Sequence, residues 1–345
     1  MRLPWRGLRD GEDALNADPH TTGFGGALEI IRPRLAEVER FLARQIGSGP
    51  ATVRDAGAYV LEGGGKRLRP AMLLTVSRLL GTQGDRDIAY AAVVEMIHTA
   101  TLVHDDIIDH ADVRRGRVTA NNRWGNQLGV LLGDWLYIRS MEIALELGDH
   151  DVMRVLSRAT VEMVEGEILG LELKGNIGVT REQYLDIVRR KTAELFSACC
   201  TLPAYFSPAH TGFREPLARF GRNLGVCFQI VDDLLDVTAS EARLGKPVFS
   251  DLREGKLTLP FILMLPTLDD QRRAVIENVM RTGEFRDVSA DELRSWLISG
   301  GALAESRRVA EAFGRDALAA LDGLPANPER DLLAAATAFV LERQS

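Results

Sequence analysis

The sequence predicts an all-α fold, a bundle of roughly a dozen helices, from three observations. Apolar residues recur three or four positions apart from Ala27 onward, beginning with Leu28, Ile31 and Leu35, which is the period of an amphipathic helix. The alternation of apolar and polar residues that indicates strands is hardly visible. Glycine and proline separate the periodic segments, as they do where helices end.

The helices are predicted to end at clusters of helix-breaking residues. In chain order these breakers are Gly47 to Pro50, Gly63 to Gly65, Gly81 to Gly84, Gly116, Gly148, Gly175 to Gly178, Pro208 to Gly212 and Gly245 to Pro247. Between residues 26 and 343 no linker rich in proline, glycine and serine occurs, and the composition does not shift. The sequence therefore predicts a single domain over residues 26–345, preceded by a flexible lead-in over residues 1–25.

The composition argues against several classes of protein. Hydrophobic residues make up 46% of the 345 residues, which is enough for a substantial core. The 42 Lys and Arg against 49 Asp and Glu give a net charge of −7, which argues against nucleic acid or an anionic membrane as a partner. No run of about 18 apolar residues occurs, so we expect no stable membrane insertion. Three cysteines and no secretory signal favour a reducing compartment, and we expect a cytoplasmic protein.

Two acidic clusters share the pattern Asp-Asp-x-x-Asp. The first comprises Asp105, Asp106 and Asp109, and the second comprises Asp232, Asp233 and Asp236. On a helix this spacing places three like charges on one patch, which destabilises the helix unless something outside it compensates. Apolar residues surround both clusters, so a bound cation explains them better than a solvated acidic helix end does. Mg²⁺ prefers such oxygen ligands and is commonly shared with substrate phosphates.

Basic residues accompany the acidic clusters and a glycine run. They are Lys66, Arg67, Arg69, Arg114, Arg115, Lys246 and Lys256. The first three follow Gly63 to Gly65, where backbone amides can approach a phosphate closely, although the spacing of a P-loop is absent. Fixed cations beside metal-binding carboxylates are what a highly charged anion requires. A basic turn or random salt bridges are the alternatives, but they do not explain why cations follow both acidic clusters.

With these residues the sequence resembles the trans-polyprenyl diphosphate synthases, from about residue 26 to the C-terminus. The matching motifs are Gly-Gly-Lys-Arg-x-Arg-Pro at 64–70, His98, Leu-Val-His-Asp-Asp-Ile-Ile-Asp at 102–109, Arg-Arg-Gly at 114–116, Gly-Asp at 133–134, Lys-Thr at 191–192, Phe-Gln-Ile-Val-Asp-Asp-Leu-Leu-Asp at 228–236, Gly-Lys-Pro at 245–247 and Asp-Leu-x-x-Gly-Lys-x-Thr-Leu-Pro at 251–260. They occur in the family's order and none is missing. The resemblance implies a helical bundle of the isoprenoid synthase type around a central cavity.

The resemblance also implies a role for each matching residue. Three Mg²⁺ ions would be held by Asp105, Asp106, Asp109, Asp232, Asp233 and Asp236. The allylic diphosphate would be contacted by Arg114, Lys191, Thr192, Gln229, Lys246 and Lys256. Isopentenyl diphosphate would be contacted by Lys66, Arg67, Arg69, His98 and Arg115. The residues predicted to be catalytic are Asp105, Asp106, Lys191 and Asp232.

The implied reaction joins isopentenyl diphosphate to an allylic diphosphate and yields a trans-polyprenyl diphosphate. Metal ions and lysines would stabilise charge on the departing diphosphate, and the double bond of isopentenyl diphosphate would attack the resulting carbocation. Ala100 and Thr101, about one turn before Asp105, would control product length. Short-chain family members often have an aromatic residue at this level, so we expect products of six or more isoprene units here. The resemblance further implies a homodimer.

Three alternatives remain at this point. A short-chain farnesyl or geranylgeranyl diphosphate synthase would share these motifs. A class I terpene cyclase would usually have an Asn/Asp, Ser/Thr, Glu triad at the second acidic site, which residues 232–236 do not match. A non-catalytic subunit of a heteromeric synthase should have lost an acidic cluster or the basic residues, and neither loss is seen.

Overall fold

A computed structural model describes residues 24–63, 65, 67–239 and 248–343 of the chain. The fold is helical almost throughout, which confirms the predicted all-α class. The α-helices are α1 (Phe24–Gly47), α2 (Ala51–Glu62), α3 (Leu68–Leu79), α4 (Asp85–Ile108), α5 (Ala120–Trp124), α6 (Asn126–Glu146), α7 (His150–Glu172), α8 (Arg181–Val188), α9 (Glu194–Thr201), α10 (Arg214–Thr238), α11 (Ser250–Arg253), α12 (Leu259–Met264), α13 (Asp270–Thr282), α14 (Ala290–Ser299), α15 (Ala302–Ala320) and α16 (Pro328–Glu342). A π-helix spans Arg189–Ala193, and 3₁₀-helices span Leu202–Tyr205, Pro208–Phe213 and Leu265–Thr267. The helices in these ranges are all too short or too polar to cross a membrane.

Helices α4 and α10 are central to the bundle. Every residue from Ile88 to Ile97 is buried, because α6, α3 and α1 cover α4 on several sides. Helix α10 packs mainly against α15 and α9. The buried apolar side chains form two clusters, one around α4 with α1, α6 and α7, and one around α10 with α12 to α16. Each large apolar side chain in these clusters contributes about 1.5–3 kcal/mol by leaving water.

Most of the predicted breakers coincide with helix ends, and two do not. Pro208 to Gly212 lies in a 3₁₀-helix that leads directly into α10. Gly116 lies in a short antiparallel hairpin in which Val113–Arg114 pairs with Arg117–Val118. Arg115 and Gly116 both have positive φ, 52° and 73°, as a two-residue hairpin turn of the primed type requires. Strands of two residues are too short to show alternation, so the sequence did not predict them. Gly245 to Pro247, and all but the last two residues of the 1–25 lead-in, lie outside the described ranges.

Helix α6 approaches α4 closely at two glycines one turn apart. A Cβ atom on Gly129 would lie 2.7 Å from Cδ1 of Ile107, and one on Gly133 would lie 2.2 Å from Nε2 of His104. Only a glycine hydrogen fits at such distances. This contact fixes the last turn of α4, which contains the first acidic cluster.

All three cysteines are free thiols inside the core. Cys199 belongs to the apolar cluster around α4, and Cys200 and Cys227 belong to the cluster around α10. Burial raises the pKa of Cys199 and of Cys227 to about 12. These side chains are therefore protonated and pack as small apolar groups.

Candidate active site

Both acidic clusters lie at the C-terminal ends of the two central helices. Helix α4 ends at Ile108 with Asp109 as its C-cap, and α10 ends at Thr238 two residues after Asp236. The C-terminal end of a helix carries a partial negative charge of about 0.5, which makes acidic side chains unfavourable there. Each site therefore adds the helix dipole to three like charges, and positive charge from elsewhere must compensate.

In the first cluster, each carboxylate faces a cation from another segment. Asp106 accepts a hydrogen bond from Arg114 of the hairpin, with 2.5 Å between Nε and Oδ1. Asp109 accepts from Lys256, with 2.7 Å between Nζ and Oδ1. Oδ2 of Asp105 lies 3.6 Å from Nζ of Lys191. The first cluster thus gathers cations from three parts of the chain.

The charge balance of Asp105 is incomplete in spite of its lysine. Burial raises the pKa of this carboxyl, Lys191 opposes the rise, and the nearby negative charges of Glu167 and Asp109 add to it. A carboxyl group whose ionised form is disfavoured in this way fits a site that is stabilised by a further cation.

The second cluster has a different environment. Asp233 is buried and accepts hydrogen bonds from Oη of Tyr184 at 2.5 Å and from Nε2 of Gln229 at 2.8 Å. The carbonyl oxygen of the same Gln229 side chain accepts from Oγ1 of Thr192 at 2.9 Å. This chain of hydrogen bonds ties α8, the π-helix and α10 together. Thr192 and Gln229, both predicted to contact substrate, are thereby linked to each other.

The other two carboxylates of the second cluster point in different directions. Asp236 is buried and accepts from Oγ of Ser250 at 2.6 Å and from the backbone N–H of Asp251 at 3.4 Å. Asp232 is 49% exposed, and its Oδ1 lies 3.4 Å from Nη2 of Arg343 at the end of α16. Asp232 is therefore the member of this cluster that is accessible to a ligand.

One short segment joins the two clusters. Helix α11 is bound to Asp236 at its first residues, as described above, and the backbone N–H of Lys256 donates to the carbonyl of Asp251 at 2.8 Å. The side chain of Lys256 then reaches Asp109 of the first cluster. The ends of α4 and α10 consequently belong to one site.

A group of cations surrounds His98, which lies on α4 about two turns before Asp105. The Nε of Arg69 is buried and has no hydrogen-bond partner among the described residues, and its guanidinium lies 4.5 Å from the ring centre of Phe196. Burial lowers the pKa of His98, and the charges of Arg69 and Arg115 lower it further. Positive charge is thus concentrated around a neutral histidine, which is the arrangement expected of an anion site.

The remaining predicted cations differ in what the structure shows of them. The guanidinium of Arg115 lies against Gly65, since a Cβ there would be 2.9 Å from Nη1. Arg67 donates to Glu39 and Glu95, each at 2.6 Å, and to the carbonyl of Leu61 at 3.0 Å. Most of its donors are therefore occupied by the protein, and its contact with isopentenyl diphosphate stays a prediction. Lys66 and Lys246 lie outside the described residues.

The carboxylates fit a metal that shares its ligands with a phosphate. In the described ranges, no three His, Cys, Asp or Glu side chains converge on one point as a complete metal cage does. Mg²⁺ is characteristically bound by one or two carboxylates together with waters and substrate phosphates. Asp105, Asp106 and Asp109 face cations and Asp232 is exposed, whereas Asp233 and Asp236 accept hydrogen bonds from uncharged donors. The first four are therefore the best candidates for such shared binding.

The predicted chain-length residues lie on two different sides of α4. Ala100 is buried and lies one turn before His104, which faces Gly133 of α6. Thr101 lies one turn before Asp105, and its hydroxyl donates to the carbonyl of His98 at 2.8 Å. Their effect on product length stays a prediction.

Three contacts of this site were not anticipated from the sequence. They involve Tyr184, Glu167 and Arg343, which bind Asp233, Lys191 and Asp232 respectively. Tyr184 occupies an ordinary apolar position of α8, and Arg343 is 111 residues from Asp232 along the chain (343 − 232). Glu167 was detectable in principle, because it follows a glycine within a long helix and faces the protein interior.

The chain is similar to known proteins over most of its length. A family model described as Polyprenyl synthetase matches residues 50–294. Octaprenyl diphosphate synthase of Escherichia coli K12 is 35% identical over 315 residues, which is 91% of this chain and 97% of that protein. A decaprenyl diphosphate synthase from Rhodobacter capsulatus has a crystal structure with a TM-score of 0.85 and 36% identity, over 92% of this chain and 98% of that chain. A polyprenyl synthase from Caulobacter crescentus, solved with calcium and isoprenyl diphosphate, has a TM-score of 0.85 and 33% identity, over 92% and 97% of the two chains.

Proposed function

Because the chain belongs to the polyprenyl synthetase family and is a prenyltransferase, we propose that the ends of α4 and α10 form its reaction site. There it joins isopentenyl diphosphate to an allylic diphosphate and makes a medium- or long-chain trans-polyprenyl diphosphate. The observation that carries this assignment is the arrangement of charge: carboxylates at two helix ends, and near them the guanidinium of Arg69, whose buried Nε has no hydrogen-bond partner among the described residues.

The allylic diphosphate would bind at the acidic helix ends. Asp105, Asp106, Asp109 and Asp232 would hold Mg²⁺, three ions in total, together with the diphosphate oxygens. Bound Mg²⁺ supplies Lewis-acid stabilisation of the charge that develops on the leaving diphosphate. Lys191 and Lys256 already lie at these carboxylates and would neutralise the same charge. The predicted metal contacts of Asp233 and Asp236 would require these carboxylates to bind the metal in addition to, or in place of, the protein donors described above.

Isopentenyl diphosphate would bind at the second anion site. Arg69, Arg115 and neutral His98 would hold its diphosphate, with Lys66 and Arg67 as further predicted contacts. The allylic C–O bond breaks, and its electron pair leaves with the diphosphate. The double bond of isopentenyl diphosphate then forms the new C–C bond, and a proton is lost to the released diphosphate. Apolar side chains beside both acidic clusters would exclude water from the cation.

We further propose that the protein is a cytoplasmic homodimer. Helices α6 and α7 expose a set of large apolar side chains: Val130, Leu131, Ile138, Leu145, Val161, Val164, Ile168 and Leu171. Two helices with this much exposed apolar surface are typical of a face that is covered by another protein. A second copy of the chain is the partner that the family resemblance implies. Size-exclusion chromatography coupled to light scattering measures the molar mass in solution and tests whether the protein is a dimer.

The reaction is tested with radiolabelled isopentenyl diphosphate, Mg²⁺ and allylic primers of increasing length. We expect labelled products of six or more isoprene units after dephosphorylation and reversed-phase chromatography, and no product after chelation of the metal. Hydrocarbon release without consumption of isopentenyl diphosphate would instead indicate a cyclase. Inactivity of the pure chain that is restored by a second subunit would indicate a heteromeric synthase.

A further inference from the structure

The predicted allylic-diphosphate contact Lys191 lies in an irregular part of the fold. Residues Arg189–Ala193 form a π-helix between α8 and α9, and such single turns with an extra residue occur frequently at functional sites. Arg190 within the same turn faces away from the acidic clusters and binds Glu162 and Glu165 of α7, each at 2.8 Å. Arg190 and Lys191, which are adjacent in this turn, therefore bind different carboxylates.

Helix α7 touches the backbone of this turn at a glycine. A Cβ atom on Gly166 would lie 2.7 Å from the backbone nitrogen of Lys191, 2.8 Å from Cβ of Arg190 and 3.2 Å from Cα of Lys191. A Cβ atom on Gly170, one turn further along α7, would have no heavy atom of the described residues within 4 Å. The close approach is therefore specific to Gly166, and any side chain there would displace the backbone that carries Lys191.

The next residue of α7 binds the other end of the same lysine. Glu167 is largely buried and forms an ion pair with Nζ of Lys191. Asp105 lies near the same Nζ, so the lysine side chain ends between two carboxylates. The reaction described above assigns no role to Glu167 or Gly166.

We propose that Gly166 and Glu167 are positioning residues for Lys191: the glycine admits its backbone, and the carboxylate aims its ammonium group at Asp105. The inference rests on the proposed function, in which Lys191 neutralises the leaving diphosphate. The two residues act through Lys191 and touch neither substrate. Their effect must therefore disappear when the lysine is absent.

A double-mutant cycle on the full-length protein tests the role of Gly166. The variants are Gly166→Ala, Lys191→Met and both together, with Gly170→Ala as the matched control for adding a methyl group to α7. Gly166→Ala is expected to lower kcat/KM for the allylic primer by about 10- to 100-fold, because small misplacements of catalytic groups have effects of this size. The KM for isopentenyl diphosphate should change less than about threefold, and Gly170→Ala should leave both parameters unchanged. In the Lys191→Met background, Gly166→Ala should cost less than about twofold.

A parallel test with Glu167 variants can be made even if Gly166→Ala does not fold. Glu167→Ala should lower kcat/KM for the primer by about tenfold, and Glu167→Gln, which keeps a hydrogen-bonding oxygen, should restore part of the loss. Both losses should vanish in the Lys191→Met background. Losses that multiply with that of Lys191→Met would overturn the inference, since they would show that α7 acts through general packing. Full activity of Lys191→Met would instead contradict the proposed role of the lysine itself.

Discussion

The two acidic clusters have the same sequence pattern but different surroundings. In the first, Asp105, Asp106 and Asp109 each face a cation contributed by another segment of the chain. In the second, Asp233 and Asp236 are buried, and their hydrogen-bond donors among the described residues include Tyr184 and Ser250, which are uncharged, while Asp232 is exposed. The same motif therefore gathers cations around three carboxylates in one helix and largely anchors the neighbouring segments in the other.

Because of this difference, substitutions in the first cluster should mainly affect catalysis, and substitutions in the second should mainly affect the stability of the fold. A buried carboxylate beside like charges at the negative end of a helix dipole is costly to the fold to the extent that positive charge does not compensate for it. A carboxylate that accepts hydrogen bonds from buried groups stabilises the fold, because its removal leaves those donors unpaired. Substitutions in the two clusters should consequently have opposite signatures.

The largest effect is expected for Asp105→Asn compared with Asp236→Asn. Asp105→Asn should lower kcat by at least about 10³-fold, since it removes a carboxylate that would hold the Mg²⁺ that stabilises charge on the leaving diphosphate. Its unfolding temperature without metal should rise or stay constant, because like-charge repulsion at the end of α4 is relieved. Asp236→Asn should lower the free energy of unfolding by about 1–3 kcal/mol and kcat by less than about tenfold. Steady-state kinetics and urea unfolding measure these values, and a loss of kcat in Asp236→Asn without destabilisation would assign that residue to the metal.

Tyr184→Phe should lower both kcat and the free energy of unfolding, each by an intermediate amount. The substitution leaves the buried Oδ2 of Asp233 without its 2.5 Å hydrogen bond, which should cost about 1–3 kcal/mol of stability. We expect kcat to fall by about tenfold, because Gln229 and Thr192 are held by the same chain of hydrogen bonds. Tyr59→Phe is the control, since its hydroxyl donates to the carbonyl of Val118 at an exposed position where water can replace it. Equal destabilisation by the two variants would contradict the anchoring role of the second cluster.

Product length should depend on the size of the side chain at Ala100 of α4. Ala100→Phe should shorten the product by one or more isoprene units, because one helical turn rises about 5.4 Å, close to the length of one unit. Overall consumption of isopentenyl diphosphate should change only a few-fold, since Ala100 lies away from the reacting atoms. Ala100→Ser serves as the matched control for a substitution without added bulk. A radiolabelled product distribution that is identical for the wild type and Ala100→Phe would place the growing chain elsewhere.

The sequence predicted the helical class and both acidic clusters because these features are local. Helical periodicity and a glycine or proline at a boundary can be recognised within a few residues, as at Gly47 and Gly148. The hairpin around Arg115 and Gly116 was missed because its strands are too short to show a period. The π-helix at Lys191 was missed because it depends on the close approach of Gly166, which no local pattern reveals.

The partners of the site residues depend on tertiary packing and could not be predicted. Arg67 shows this most clearly: its position after a glycine run suggests a phosphate contact, whereas the fold brings Glu39 and Glu95 to its guanidinium. The same limit applies to the two acidic clusters. Their identical spacing gives no information about Tyr184 or Lys256, which distinguish Asp233 from Asp109.

The smallest effect is expected for the thiols in the two cores that support the clusters. Burial raises the pKa of Cys199, in the core around α4, and of Cys227, in the core around α10, to about 12. At pH 8 only about one thiol in 10⁴ is ionised, so iodoacetamide should not label either residue in the native protein over hours.

In the folded protein the pKa of each of these thiols lies above its value of about 8.5 in the unfolded chain. Each thiol therefore contributes stability that is complete below about pH 8.5 and is lost as the pH rises toward 12. Mass spectrometry after labelling in increasing urea shows which core opens first, and rapid labelling of either cysteine without urea at pH 8 would contradict a closed core beneath that cluster.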